Sequence, residues 1–116
     1  MDEKIQLIAK PIMSADLKII AADSFGDMVK AVVDIEKEIM AIGGEMHADE
    51  EAFLLEQGSK QENLWGINLY PDSDQADFIE FDSMINIRPR QGNRSRAVEN
   101  EELRKKIFVI VGKLTS

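Results

Sequence analysis

Residues 27–44 read DMVKAVVDIEKEIMAIGG, and the period assigned to this stretch decides what fold the chain can build. Met28, Val32, Ile35, Ile39 and Ile42 recur every three or four residues, and Val29, Val33 and Met40 widen the stripe. That spacing predicts an amphipathic helix. Asp34, Lys37 and Glu38 would lie on its outer side, with Lys30 and Asp34 as an i,i+4 pair and Asp27 in the first turn. Gly43-Gly44 would stop the helix, since glycine adopts the left-handed cap conformation without steric cost.

Upstream, residues 4–9 (KIQLIA) alternate until Pro11, which predicts an outer strand. Ser14 then reads as the N-cap of a helix carrying Leu17, Ile20 and Ala21. Downstream, residues 45–57 admit two readings. A strand puts His47, Asp49, Glu51, Phe53 and Leu55 on one face, whereas the poor strand propensity of ADEEA favours a helix capped by Asp49. The strand is preferred, because LLEQGSKQENLWGINL then becomes a hairpin around Gly58-Ser59. Residues 64–70 form a strand with Trp65, Ile67 and Leu69 on one side and Leu64, Gly66, Asn68 and Tyr70 on the other. Residues 77–88 alternate again, with Ile79, Phe81, Ser83, Ile85 and Ile87 inward, and Pro89 ends the run. A final helix capped by Asn100 or Glu99 carries Leu103, Ile107, Ile110, Val111 and Leu114. The expected fold is α+β, in the order β-α-α-β-β-β-α. An antiparallel sheet of three or four strands is covered on one face by two amphipathic helices, in a single domain spanning 1–116.

The totals narrow the function classes. The chain has no cysteine, which excludes disulfides, thiol catalysis and Cys-ligated zinc. The opening MDEKIQLI lacks the basic and apolar regions of a signal peptide, and no apolar run reaches the ~18–20 residues of a membrane span. A soluble cytoplasmic protein is expected. Fourteen Lys and Arg against 22 Asp and Glu give a formal charge of −8. That balance weighs against nucleic acid as a partner, because phosphate affinity rests on Lys and Arg.

One segment reverses the balance. Arg88, Arg90, Arg94 and Arg96 fall within nine residues, with no acid between Asp82 and Glu99, so the rest of the chain stands at −12. The arginines precede a helix N-terminus, where free N–H groups and the helix dipole attract anions, and guanidinium forks match phosphate or carboxylate oxygens. A phosphate-bearing small molecule is therefore the leading ligand, with the four arginines supplying charge and Asn86 and Asn93 orienting it. The opposing reading has Glu99, Glu101 and Glu102 occupying that helix end, and the arginines paired with them or with Glu80 and Asp82. A second candidate is a divalent metal held by His47, Asp49, Glu51 and Asp82 on the sheet, serving a hydrolase. The lone histidine argues against zinc. A third is association: an exposed edge strand with Lys4 and Lys10 at its ends could build a homodimer or an interaction module.

The run from Asp27 to Gly44, His47-Ala48-Asp49, Leu64-Trp65-Gly66-Ile67-Asn68 and INIRPRQGNRSR at 85–96 together resemble a family of small prokaryotic proteins classed as a domain of unknown function. The resemblance covers residues 15–114. It implies a prokaryotic source and carries no activity, ligand or catalytic residue.

Overall fold

The computed structural model describes residues 4–115; the first three residues of the run read above for a signal peptide lie outside them. The class is α+β, but the stretch at 27–44 is not a helix. It is a β-hairpin, β2 (Val29–Asp34) and β3 (Ile39–Ile42), paired antiparallel from Ala31↔Ile42 to Asp34↔Ile39. The reason is burial on both faces. Val29, Ala31 and Val33 enter one core while Val32 enters another, so the strand shows no apolar–polar alternation and its valines mimic a helical stripe. Asp34 ends β2, and Lys37 and Glu38 lie in the turn that follows it. Asp34 Oδ1 accepts the N–H groups of Glu36 and Lys37 at 2.9 and 3.0 Å, and Oδ2 accepts the Ser59 hydroxyl at 2.6 Å. Gly43, at φ +89°, passes so close to the Lys4 carbonyl that a Cβ would lie 2.6 Å from its oxygen, so this glycine serves strand packing rather than a helix cap.

The hairpin is the middle of a five-stranded, wholly antiparallel sheet that also contains β1 (Gln6–Ile8), β4 (Leu64–Leu69) and β5 (Ile79–Glu80). Its order is β1-β3-β2-β4-β5, so β1 is an outer strand, as its sequence predicts. Helices α1 (Ser14–Asp23) and α3 (Glu101–Leu114) cover one face over Val33, Ile67 and Leu69. Met13 rather than Ser14 occupies the α1 N-cap position. Asn100 caps α3 as expected, its Oδ1 accepting Leu103 N–H at 2.9 Å.

The opposite face carries α2 (His47–Glu56), which replaces the expected strand and hairpin. Local propensity wins here, because ADEEA favours a helix and Leu54 can bury against Val32, Ala41 and Leu64 from one helical face. The sheet thus has five strands, with the expected pair of helices on one face and a third helix, α2, on the other.

Strand β5 is also shorter than the 77–88 run. After Glu80 the chain leaves the ladder, and a 3-10 turn (Met84–Asn86) follows. The side chain of Asn86 continues the pairing. Its Oδ1 accepts Gly66 N–H at 2.8 Å, and its Nδ2 donates to the Gly66 carbonyl at 2.9 Å. Glycine at 66 is required by close packing, since a Cβ there would lie 2.6 Å from the Ser83 side chain. Asn86→Ala would leave both Gly66 groups buried and unpaired, and should cost about 2–4 kcal/mol of stability. Urea denaturation measures this, and a loss below about 0.5 kcal/mol would show that the clamp is dispensable.

Candidate functional site

The α2 face of the sheet carries a row of polar residues on neighbouring strands. Lys30 of β2 is directly opposite Asn68 of β4, which is directly opposite Glu80 of β5. The first turn of α2 lies over this row with His47, and Asp82, Ser83 and Arg96 close the side, around a pocket of about 370 Å³. Asn68 is the hinge of the row: its Nδ2 donates to Glu80 Oε1 at 2.8 Å and to the Asp82 carbonyl at 3.3 Å. Tyr70 Oη donates to the same Glu80 oxygen at 3.2 Å. Asn68 Oδ1 is buried with no hydrogen-bond partner among the described residues.

The charges divide into committed and uncommitted groups. Arg96 uses only its Nε, which donates to Asp82 Oδ1 at 2.7 Å, and its terminal nitrogens have no partner among the described residues. The Lys30 ammonium pairs with no acid among the described residues and stands 5.2 Å over the Phe25 ring. Met46, the N-cap residue of α2, offers no side-chain cap, and the N–H groups of His47 and Ala48 have no acceptor among the described residues, whereas that of Asp49 bonds the Met46 carbonyl. All of these are donors.

His47 is buried, and its Nε2 lies 2.8 Å from the Ile67 carbonyl. A carbonyl can only accept, so Nε2 carries the proton and the neutral ring keeps its lone pair on Nδ1. Burial pushes the His47 pKa below 6.5; the Ile67 carbonyl opposes, Lys30 adds to the lowering, and the Asn68 amide and Asp82 pull upward.

The loop arginines do not converge. The Arg88 guanidinium donates to the carbonyls of Gln61, Leu64 and Ile85 and stacks 4.2 Å from the Trp65 ring, so it is a structural brace. Arg90 and Arg94 are exposed, and no hydrogen bond or ion pair among the described residues engages their guanidinium groups. The backbone N–H groups of Arg94 and Ser95 point at an anion, but it is Glu99, whose Oε2 accepts them at 2.9 and 2.8 Å. Those contacts, led by the Ser95 side chain, lower the Glu99 pKa. Asn93 is fully committed to the loop. Its Nδ2 donates to the carbonyls of Asn86, Ser95 and Ala97, and its Oδ1 accepts Glu99 N–H. Asn86 clasps Gly66, as described above. Of the six residues expected to hold an anion, only Arg96 reaches the pocket.

The acids expected at a metal also separate. His47 and Asp82 line the pocket, whereas Asp49 is exposed and Glu51 lies near Arg88. A strand would have aligned positions 47, 49 and 51; on a helix, 49 lies about 200° around from 47. No group of three or more His, Asp or Glu among the described residues could hold a metal ion. Asn68 stands on the polar side of its strand, where alternation puts it, whereas Lys30 and the open end of α2 have no counterpart in the sequence reading of the site. The helical reading of 27–44 hid Lys30, and cross-strand register carries no signal in a single sequence.

The sequence model of a family described as a protein of unknown function, DUF5674, matches residues 6–114. The chain belongs to this family. The match spans every strand and helix of the fold, so the pocket lies wholly within the DUF5674 domain. No curated protein and no solved structure matches this DUF5674 chain. Among its described residues, no helix is long and apolar enough to cross a membrane.

The buried neutral histidine gives a pH test. The folded pKa of His47 is depressed, so the unfolded chain binds the proton more readily. This contribution to stability is present above pH 6.5 and is lost as pH falls below that value. His47→Gln keeps a donor for Ile67 and removes the titration, so its stability should fall less steeply than the wild type just below pH 6.5. Parallel curves from urea titrations would refute a depressed His47.

Proposed function

We propose that this protein binds a small anionic ligand in the pocket between β2, β4 and the N-terminus of α2, as a cytoplasmic binding protein. The observation that carries this reading is the convergence of uncommitted donors: the Lys30 ammonium, the terminal nitrogens of Arg96 and the uncapped end of α2. Donors without acceptors favour a carboxylate or phosphate, and the helix dipole adds to the attraction. Of the acids at the rim, Asp82 is paired with Arg96, and one oxygen of Glu80 is taken up by Asn68 and Tyr70. Arginine thus contributes through Arg96 at the pocket wall, and the loop tip is occupied by the protein's own Glu99.

Neither alternative has comparable support. A divalent metal would find His47 and Asp82 together without a third ligand. A homodimer through β1, centred on Leu7 in antiparallel pairing, would set Lys4 opposite Lys10 of the second copy, and like charges in that position repel.

Lys30→Ala should weaken the binding of inorganic phosphate about fivefold or more, and added salt should weaken it in the wild type. The double variant Arg90→Ala/Arg94→Ala should bind as the wild type does. Titration calorimetry reads both. Loss of binding in the double variant with none in Lys30→Ala would move the site to the loop tip, and no binding by the wild type to phosphate or small carboxylates would overturn the reading.

A further inference from the structure

The donors of this pocket face a second set of groups that can only accept. With Nε2 on the Ile67 carbonyl, the His47 ring presents Nδ1 as a lone pair, with the Asn68 carboxamide beside the ring. Asn68 is 6% exposed, and its Oδ1 has no hydrogen-bond partner among the described residues. Asp82 uses only Oδ1, and Glu80 only Oε1, among the described contacts. An ionised phosphate monoester such as methyl phosphate would satisfy the donors and meet these acceptors with nothing but lone pairs, which is a costly match in a partly desolvated site.

A ligand that fits both sets has an anionic end and hydrogen-bond donors a few bonds away. A hydroxyl suits the wall better than an ammonium. It can donate to Nδ1 while accepting from a neighbouring donor, and it is not repelled by Lys30 or Arg96. The volume, about 370 Å³, is that of a pocket for a small metabolite.

Resting on the anion-site reading above, we propose that the occupant is a hydroxylated anion of the sugar-phosphate or hydroxy-acid class, with its charge at Lys30 and the α2 N-terminus and a hydroxyl donating to His47 Nδ1. His47 is then the specificity-determining residue, and the lysine end supplies affinity common to all anions.

Calorimetry with paired probes tests this. Ribose 5-phosphate is compared with methyl phosphate, and glycerate with propionate, each pair sharing its anion and differing in hydroxyls. The hydroxylated member should bind about tenfold tighter or more, the scale of one or two buried hydrogen bonds. His47→Gln, which retains a donor for Ile67, should lose most of that preference while still binding methyl phosphate. In the wild type, the His47 Nδ1 resonance should move on addition of ribose 5-phosphate and stay in place with methyl phosphate, a readout that does not depend on the variant folding. Equal affinities within both pairs would overturn this proposal and leave the anion site standing. Binding of neither member of either pair would remove the anion site and this proposal with it. Tighter binding of alanine than of glycerate would replace the hydroxyl by an amine and so overturn the class named here.

Discussion

The pairing of the Asn86 carboxamide with the backbone of Gly66 holds the polar face of the sheet in place. Strand β5 ends at Glu80, which would leave the outer N–H and C=O of Gly66 unpaired in a buried position. Asn86 supplies both partners from a side chain, and its Nδ2 also donates to the Arg96 carbonyl at 3.0 Å. The same Arg96 carbonyl accepts Ser83 N–H at 3.0 Å. Arg96 is thereby delivered to Asp82, and the pocket gains its side wall.

Asn93 does for the loop what Asn86 does for the sheet. Its amide gathers three carbonyls and one N–H, which turns residues 86–99 into a folded unit with little regular structure. The two asparagines and Arg88 explain why so basic a segment is tolerated on an acidic protein. Arg88 is consumed by carbonyls and the Trp65 ring, Arg96 gives its Nε to Asp82, and the backbone nest is filled by Glu99. A dense run of arginine is therefore a poor guide to a ligand when buried carbonyls are close by, since a guanidinium carries enough donors to satisfy several of them.

The polar row on the α2 face follows from antiparallel register alone. Once Val33 pairs with Trp65 and Leu69 with Ile79, Lys30, Asn68 and Glu80 must stand side by side on the face opposite the larger core. The packing that buries Ala31, Ile67 and Leu69 thus also lines up the groups of the pocket, and α2 brings its own N-terminus and His47 over them.

Some of this is legible in the amino-acid order. Strand β4 and its inward set, Trp65, Ile67 and Leu69, follow from alternation; α3 and its Asn100 cap follow from a one-sided stripe and a local hydrogen bond; β1 follows from a short run stopped by proline. β1 and α3 leave one side exposed or use neighbouring residues, and β4, although buried on both faces, carries Gly66 and Asn68 on its second face, so their period survives in the sequence. The β2–β3 hairpin buries both faces, and its valines and isoleucines fit a helix as well as a strand until partners on either side are known. Residues 47–56 followed their local propensity, against a hairpin argument that needed a distant partner. The sequence by itself determined the α+β class, the cysteine-free chemistry and the presence of an arginine cluster. Tertiary structure alone decided which arginine is left to face a pocket and where the histidine keeps its lone pair, because both depend on carbonyls supplied by residues far along the chain.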